Sequence, residues 1–293
     1  MLKNSIFRTL AFFDAQDLPL TLLEVQNYLS GADQKISVSL TDIQQCIAGE
    51  LHGRVEHSRG LYFLKGRENL VRLRTKRYPE ALQRFRKAKQ YLWGLRFMPY
   101  VRGVAISGSQ ALLNNTETSD IDLFIITRKN RIWITRALVS LYFQILGQRR
   151  HGSKIQSRFC LNHYLASDTE ITDDRNLYTA VEYASLLPVL GEREFQKFWK
   201  ENQWTLEYLQ TRALEQSNEF FHFRFSRLQK ILETVLDFTV ARLLNYSLGL
   251  YQKNRITVRS HILISDCELS FHPGSRGQNV LSEFQTRVRQ HFS

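Results

Sequence analysis

Asp120 and Asp122 stand two residues apart in "SDIDLFIIT", a segment that otherwise reads as a buried strand. On a strand, side chains at i and i+2 point to the same face. The two carboxylates therefore project together, while Ile121 and Leu123 face the other way, into the core. Like charges held side by side repel, and their common physical use is to share a divalent cation. Mg²⁺, or Mn²⁺ in its place, favours carboxylate and water oxygens and bridges to substrate phosphates. A second apolar strand, "VRGVAIS", runs into Gly108-Ser109 and the brief helical stretch "QALLNN". Glycine lets a phosphate approach the backbone closely, and the next amides and the Ser109 hydroxyl are placed to donate to it.

The remaining chain divides by pattern. Residues 1–66 read as helix, helix, helix, hairpin, the order of a winged-helix-like domain. Thr21 with Glu24 has the form of a capping box, and Thr41 is a candidate cap for the third helix. Ser58-Arg59-Gly60 turns the hairpin. Residues 67–98 form a linking basic helix with an apolar stripe through Leu82, Phe85, Ala88, Leu92 and Leu95. Arg84, Arg86, Lys87 and Lys89 spread around it, as on a solvated helix. Residues 99–190 alternate strands and helices, with "RFCLNHYLA" as a third strand. Residues 191–293 are mostly helical, ending in a short apolar run, a Pro-Gly turn in "FHPGSR" and an amphipathic helix. The fold class expected is α/β, in the α+β sense.

The stretch "AISGSQALLNNTETSDIDLFIIT" resembles the signature of the nucleotidyltransferase superfamily typified by DNA polymerase beta. That signature is an apolar strand, Gly-Ser, roughly ten intervening residues, then Asp-x-Asp in a second strand. The likeness covers about 25 residues and gives no detailed match for either end of the chain. It implies a mixed sheet with helices packed on one side. It implies that Gly108 and Ser109 hold the terminal phosphates of a nucleotide and that Asp120 and Asp122 bind two Mg²⁺ ions. In such proteins a third carboxylate, on a later strand, completes the site.

Here that later strand holds no acid. Asn162 occupies its middle, and strand alternation places it with Cys160 and Tyr164, while Leu161 and His163 face the other way. Asn162 and Asp168, just beyond the strand, are the candidates for the third position. Ser119 caps or orients the strand bearing the pair. Arg131, with Arg128 and Lys129, is a candidate contact for a triphosphate or nucleic acid, or a solvated loop. Arg149, Arg150, Lys154 and Arg158 make a second basic loop. His163 reads as a satisfied structural histidine, and His151 and His272 are ambiguous. Tyr178 and Tyr183 are core residues unless one stacks on a base.

Forty Lys and Arg against 28 Asp and Glu give a formal charge of +12. Such a balance favours polyanions: nucleic acid, nucleotide phosphates or an anionic membrane surface. Cys46, Cys160 and Cys267 are too scattered for a metal-ligand cluster or a disulfide framework, which suits a reducing compartment. No apolar run approaches about 18 residues and no leader pattern opens the chain, so a cytoplasmic location and no membrane partner are expected. The leading expectation is a metal-dependent nucleotidyltransferase that moves an NMP from an NTP to a hydroxyl acceptor, nucleic acid among the acceptor classes. The alternatives are a nucleotide-sensing or partner-binding module with an incomplete catalytic triad, and a structural protein that kept the fold and lost the ligands.

Overall fold

The computed structural model describes residues 1–31, 37–152, 155–171, 174–210, 223–256, 262–271 and 274–292. Lys154, His272 and Pro273 lie outside the described residues.

The chain opens with three helices, α1 (Leu2–Asp14), α2 (Leu22–Asn27) and α3 (Leu40–Ala48), followed by the hairpin β1 (Val55–Ser58) and β2 (Leu61–Leu64). Thr21 and Glu24 close a capping box on α2. The cap of α3 is Ser39 rather than Thr41. Ser39 Oγ accepts from Asp42 N at 3.1 Å, and the Asp42 carboxylate accepts from Ser39 N at 2.9 Å, so the helix starts before Thr41 is reached. Arg59 and Gly60 both take positive φ, the left-handed pair that a two-residue hairpin turn requires.

The long helix α4 (Asn69–Trp93) then leads through a 3₁₀ turn into β3 (Val101–Ser107). A single helical turn, α5 (Gly108–Ala111), and a loop connect it to β4 (Ile121–Thr127). Next come α6 (Ile132–Ile145), β5 (Phe159–Ala166), α7 (Leu177–Ala184), β6 (Leu187–Leu190) and α8 (Glu192–Glu201). The last described elements are α9 (Arg227–Thr239), α10 (Ala241–Arg255), β7 (Leu263–Ile264), β8 (Glu268–Ser270) and α11 (Gly274–Phe292). The fold is mixed α/β. Six strands form one mixed sheet in the order β6-β3-β4-β5-β8-β7. Among the described strands of this sheet, β4 and β5 pair in parallel, joined across α6, and the other pairs are antiparallel.

Alternation along β4 feeds two cores. Ile121, Leu123 and Ile125 pack with α4 and α6 through Phe85, Leu92, Val139 and Phe143. Phe124 and Ile126 pack on the opposite face with Tyr183, Phe195 and Phe198. Helices therefore cover both faces of the sheet, not one side as the family likeness implied. The reason is the apolar content of β4, which needs cover on either side. The second core runs on without a break into Phe12, Phe13 and Leu10 of α1 and Phe284 of α11. Buried Asp14 ties these ends together, accepting from Arg67 Nε at 3.0 Å and Arg287 Nε at 2.6 Å. The front helices and the final helix thus close over one end of the sheet.

Candidate active site

The cluster forms where β3, β4 and β5 present neighbouring ends. Ser107 pairs with Asp122 across β3 and β4, and Asp122 pairs with Cys160 across β4 and β5. Asp120, Asp122 and Cys160 offer ligand atoms that all lie within 4.8 Å of one another. Arg150 Nη1 donates to Asp120 Oδ2 at 2.6 Å and to Cys160 Sγ at 3.4 Å. Asn162 Nδ2 donates to Asp122 Oδ1, and Cys160 Sγ donates to Asn162 Oδ1. One carboxylate is thus held by a guanidinium and the other by a neutral amide. Burial raises the Cys160 thiol to about 12, with the charges of Asp122 and Asp120 adding to it. A sulfur is in any case a softer ligand than the two carboxylates beside it.

Asn162 reaches the pair from the side that alternation gives it, but its neighbours depart from that alternation. Between Asp122 and Phe124 on β4, β5 advances from Cys160 to His163, one residue more. This bulge at Leu161-Asn162 resets the pleat. Asn162 shares the Asp122 side with Cys160, but Tyr164 turns to the opposite core and His163 turns to the Asp122 side. His163 stacks on Phe124 at 4.6 Å and meets Glu268 at 3.1 Å, both nearly inaccessible, so it is a structural residue. Asp168 is remote from the pair. Because β4 and β5 are parallel, it follows Ala166, the partner of Thr127 at the far end of β4.

Gly108 has φ +64°, and a β-carbon there would lie 2.7 Å from Asp122 Oδ2. The group packed against this glycine is the Asp122 carboxylate itself. Ser109 lines the adjoining cleft. Ser119 does not line it. Its hydroxyl is spent in the loop turn, accepting from Thr116 N at 3.0 Å and bonding Thr116 Oγ1 at 2.9 Å. Arg131 also stands apart. It follows the far end of β4, roughly 17 Å along the strand from Asp122, and pairs with Asp237 at 2.9 Å. A residue nine positions after Asp122 in sequence is carried away by the strand that holds Asp122 in place.

A cavity of about 600 Å³ opens on the pair. Its walls come from the end of α1 (Gln16, Asp17), α4 (Arg77), α7 (Tyr178, Glu182) and α11 (Arg276, Gln278), besides Gly108, Ser109 and Asn162. Burial pushes the Tyr178 hydroxyl well up, and the charges of Glu182 and Asp122 push it further, so both acids act on the same hydroxyl. Tyr183, by contrast, is core. Sequence reasoning missed Glu182, Arg276 and Arg77, which reach the cleft only through tertiary packing. It also missed Arg84. That side chain, read as solvated, is buried and donates to the backbone oxygens of Glu117 at 2.7 Å and Ser119 at 3.3 Å, fixing the loop before the pair.

The donor set suits a hard divalent cation. Asp120 and Asp122 supply carboxylate oxygens on one face with the Cys160 sulfur beside them, while Asn162 and Arg150 orient the carboxylates. No protein-family model, curated protein or solved structure matches the chain.

Proposed function

We propose that this cleft binds a nucleoside triphosphate with Mg²⁺ or Mn²⁺ and passes its NMP to a hydroxyl acceptor. The observation that carries the reading is the pair Asp120 and Asp122, held together at the mouth of a 600 Å³ cavity beside the Gly108-Ser109 turn. Reading residues 99–190 as a polymerase-beta-like core, on a likeness of about 25 residues, and residues 1–66 as a winged-helix-like domain belongs to the same proposal. Asp120 and Asp122 would hold the cation, which when bound neutralises charge on the triphosphate. Asn162 keeps the Asp122 carboxylate in place through its amide. Ser109 donates its hydroxyl to the phosphates. Arg150 exchanges Asp120 for a phosphate oxygen, since one guanidinium serves either anion.

The acceptor oxygen forms a bond to the α-phosphorus as the bond to the β-phosphate bridge breaks, and pyrophosphate leaves with the electron pair. The acceptor proton passes to Glu182, the cleft acid that shares the Tyr178 neighbourhood with Asp122. Geometry and charge neutralisation carry much of such a transfer, so an amide at the Asn162 position is compatible with it. The same amide, with Arg150 already on Asp120, favours a second reading in which the cleft senses nucleotide without turning it over.

A screen of NTPs labelled at the α-phosphate, with Mg²⁺ or Mn²⁺ and RNA, DNA or protein acceptors, separates the two. Transfer by the wild type, lost in Asp122→Asn and strongly reduced in Glu182→Gln, supports the transferase. Nucleotide binding without transfer to any acceptor supports the sensor. Neither binding nor transfer overturns both.

A further inference from the structure

We propose that the outer face of α9 and α10 docks on an anionic lipid surface, with the cavity beside Lys129 and Arg242 taking a lipid phosphate. On α9, Leu228, Ile231, Val235 and Phe238 recur at helical spacing on one side and are exposed. On α10, Leu243, Tyr246 and Leu250 do the same. These residues are not the core-facing sides of the helices. Gln229 and Glu233 turn inward to the backbone of Met98, Tyr100 and Val101, and Gly249 and Gln252 turn inward to Trp133. Phe238 is 91% exposed at the junction of the two helices, so it protrudes rather than lining a groove.

The charges on these helices are sorted. Residues 224–255 carry six bases and two acids. Both acids face the body of the protein: Glu233 pairs with Arg102 at 2.7 Å, and Asp237 pairs with Arg131 and Arg128. Arg227 and Arg242, both exposed, border the apolar residues, while Lys230 lies on the Asp237 side of α9. A cavity of about 590 Å³ flanks α10, lined by Arg242, Tyr246 and Lys253 together with Lys129, Arg131 and Trp133. Lys253 is engaged by Asp266 at 2.9 Å. The side chains of Lys129 and Arg242 have no ion pair or hydrogen bond among the described residues.

A protruding apolar crest bordered by cations is the pattern of a helix lying in a bilayer interface, with tyrosine at headgroup depth. A second copy fits less well, because a two-fold contact would bring two cationic borders together. No helix among the described residues is long and apolar enough to cross a membrane, and surface docking needs none. The face lies beyond the opposite end of β4 from Asp120 and Asp122, so docking leaves the first cavity open.

The test is flotation of the full chain with vesicles of phosphatidylcholine alone or mixed with phosphatidylglycerol. Binding is expected to the mixed vesicles only and to fall as salt rises. Phe238→Ser with Leu243→Ser should weaken it at least tenfold while the melting temperature holds, because both residues are exposed. Lys129→Gln and Arg242→Gln should each weaken it about fivefold, the effect of one base near an anionic surface. Arg86→Gln with Lys87→Gln, exposed on α4, removes twice the charge of either single variant elsewhere and should change nothing. The proposal is overturned by absent binding to mixed vesicles, by an equal loss in the α4 control, or by a sedimenting dimer that Phe238→Ser dissociates.

Discussion

The two ends of β4 both carry charged clusters and use them differently. At its start, Asp120 and Asp122 share one arginine and one amide and open on a cavity. At its end, Arg128, Arg131 and, from β3, Arg102 meet the two acids of α9, Glu233 and Asp237, with Tyr100 closing the set. The second cluster satisfies each of its acids with more than one partner and fastens α9 to the sheet. The first sets Asp120 against Arg150 and Asp122 against the Asn162 amide, and both line an open cavity. Pairing, not charge density, separates a fastening from a binding site, and a basic run such as residues 128–131 does not disclose its partners until α9 is in place.

The largest expected contrast comes from one substitution at each end. Glu233→Ala strands the Arg102 guanidinium and the Tyr100 amide, whose bonds to Glu233 measure 2.7–2.8 Å. It should cost about 2–4 kcal/mol in urea unfolding, below the fully buried case because Arg102 is part-exposed. Asp122→Asn should leave stability within about 1 kcal/mol, since it also relieves repulsion at the pair. Equal costs at both ends would erase the distinction.

Gly108→Ala ranks next. It forces a β-carbon into a left-handed φ of +64° and to 2.7 Å of Asp122 Oδ2. A loss of about 1–3 kcal/mol is expected, together with weakened Mn²⁺ binding from the displaced carboxylate. Unchanged Mn²⁺ affinity would detach Gly108 from the site.

The smallest effect concerns acid. Burial works against the charged Asp237, but hydrogen bonds from Arg131, Arg128 and Tyr100 outweigh it and hold its carboxyl below the usual range. A depressed native value means that the stabilisation is fully present above the unfolded-chain value of about 3.9 and is lost as pH falls through the native one. Asp237→Asn should therefore flatten the acid limb of the stability curve and leave the Asp120 end unaffected. An unaltered acid limb would remove Asp237 from the account.

What the sequence made legible follows from range. The i, i+2 spacing of Asp120 and Asp122 is local, and so is the capping box of Thr21 and Glu24, so both were readable. Asn162 was placed on the right side of β5 while its neighbours Tyr164 and His163 were not, because a bulge breaks a period of two without a residue signature. Arg150, Glu182 and Arg276 come to the cleft from α6's following loop, α7 and α11, over separations that no periodicity encodes. Arg84 was unreadable for another reason: its partners are backbone oxygens, which every residue has. The helices on both sheet faces follow from β4 being apolar on either side, a signal present in "IDLFII" but overridden by the family likeness.

The central claim is that Asp120 and Asp122 form a divalent-cation site for which Arg150 is the competing counter-charge. Mn²⁺ titration followed by electron paramagnetic resonance tests it most directly, on the wild type, Asp122→Asn and Arg150→Gln. The account predicts saturable Mn²⁺ binding by the wild type, its loss in Asp122→Asn, and tighter binding in Arg150→Gln, where Asp120 no longer has to release a guanidinium. Mn²⁺ binding that survives Asp122→Asn, or that weakens in Arg150→Gln, would contradict it.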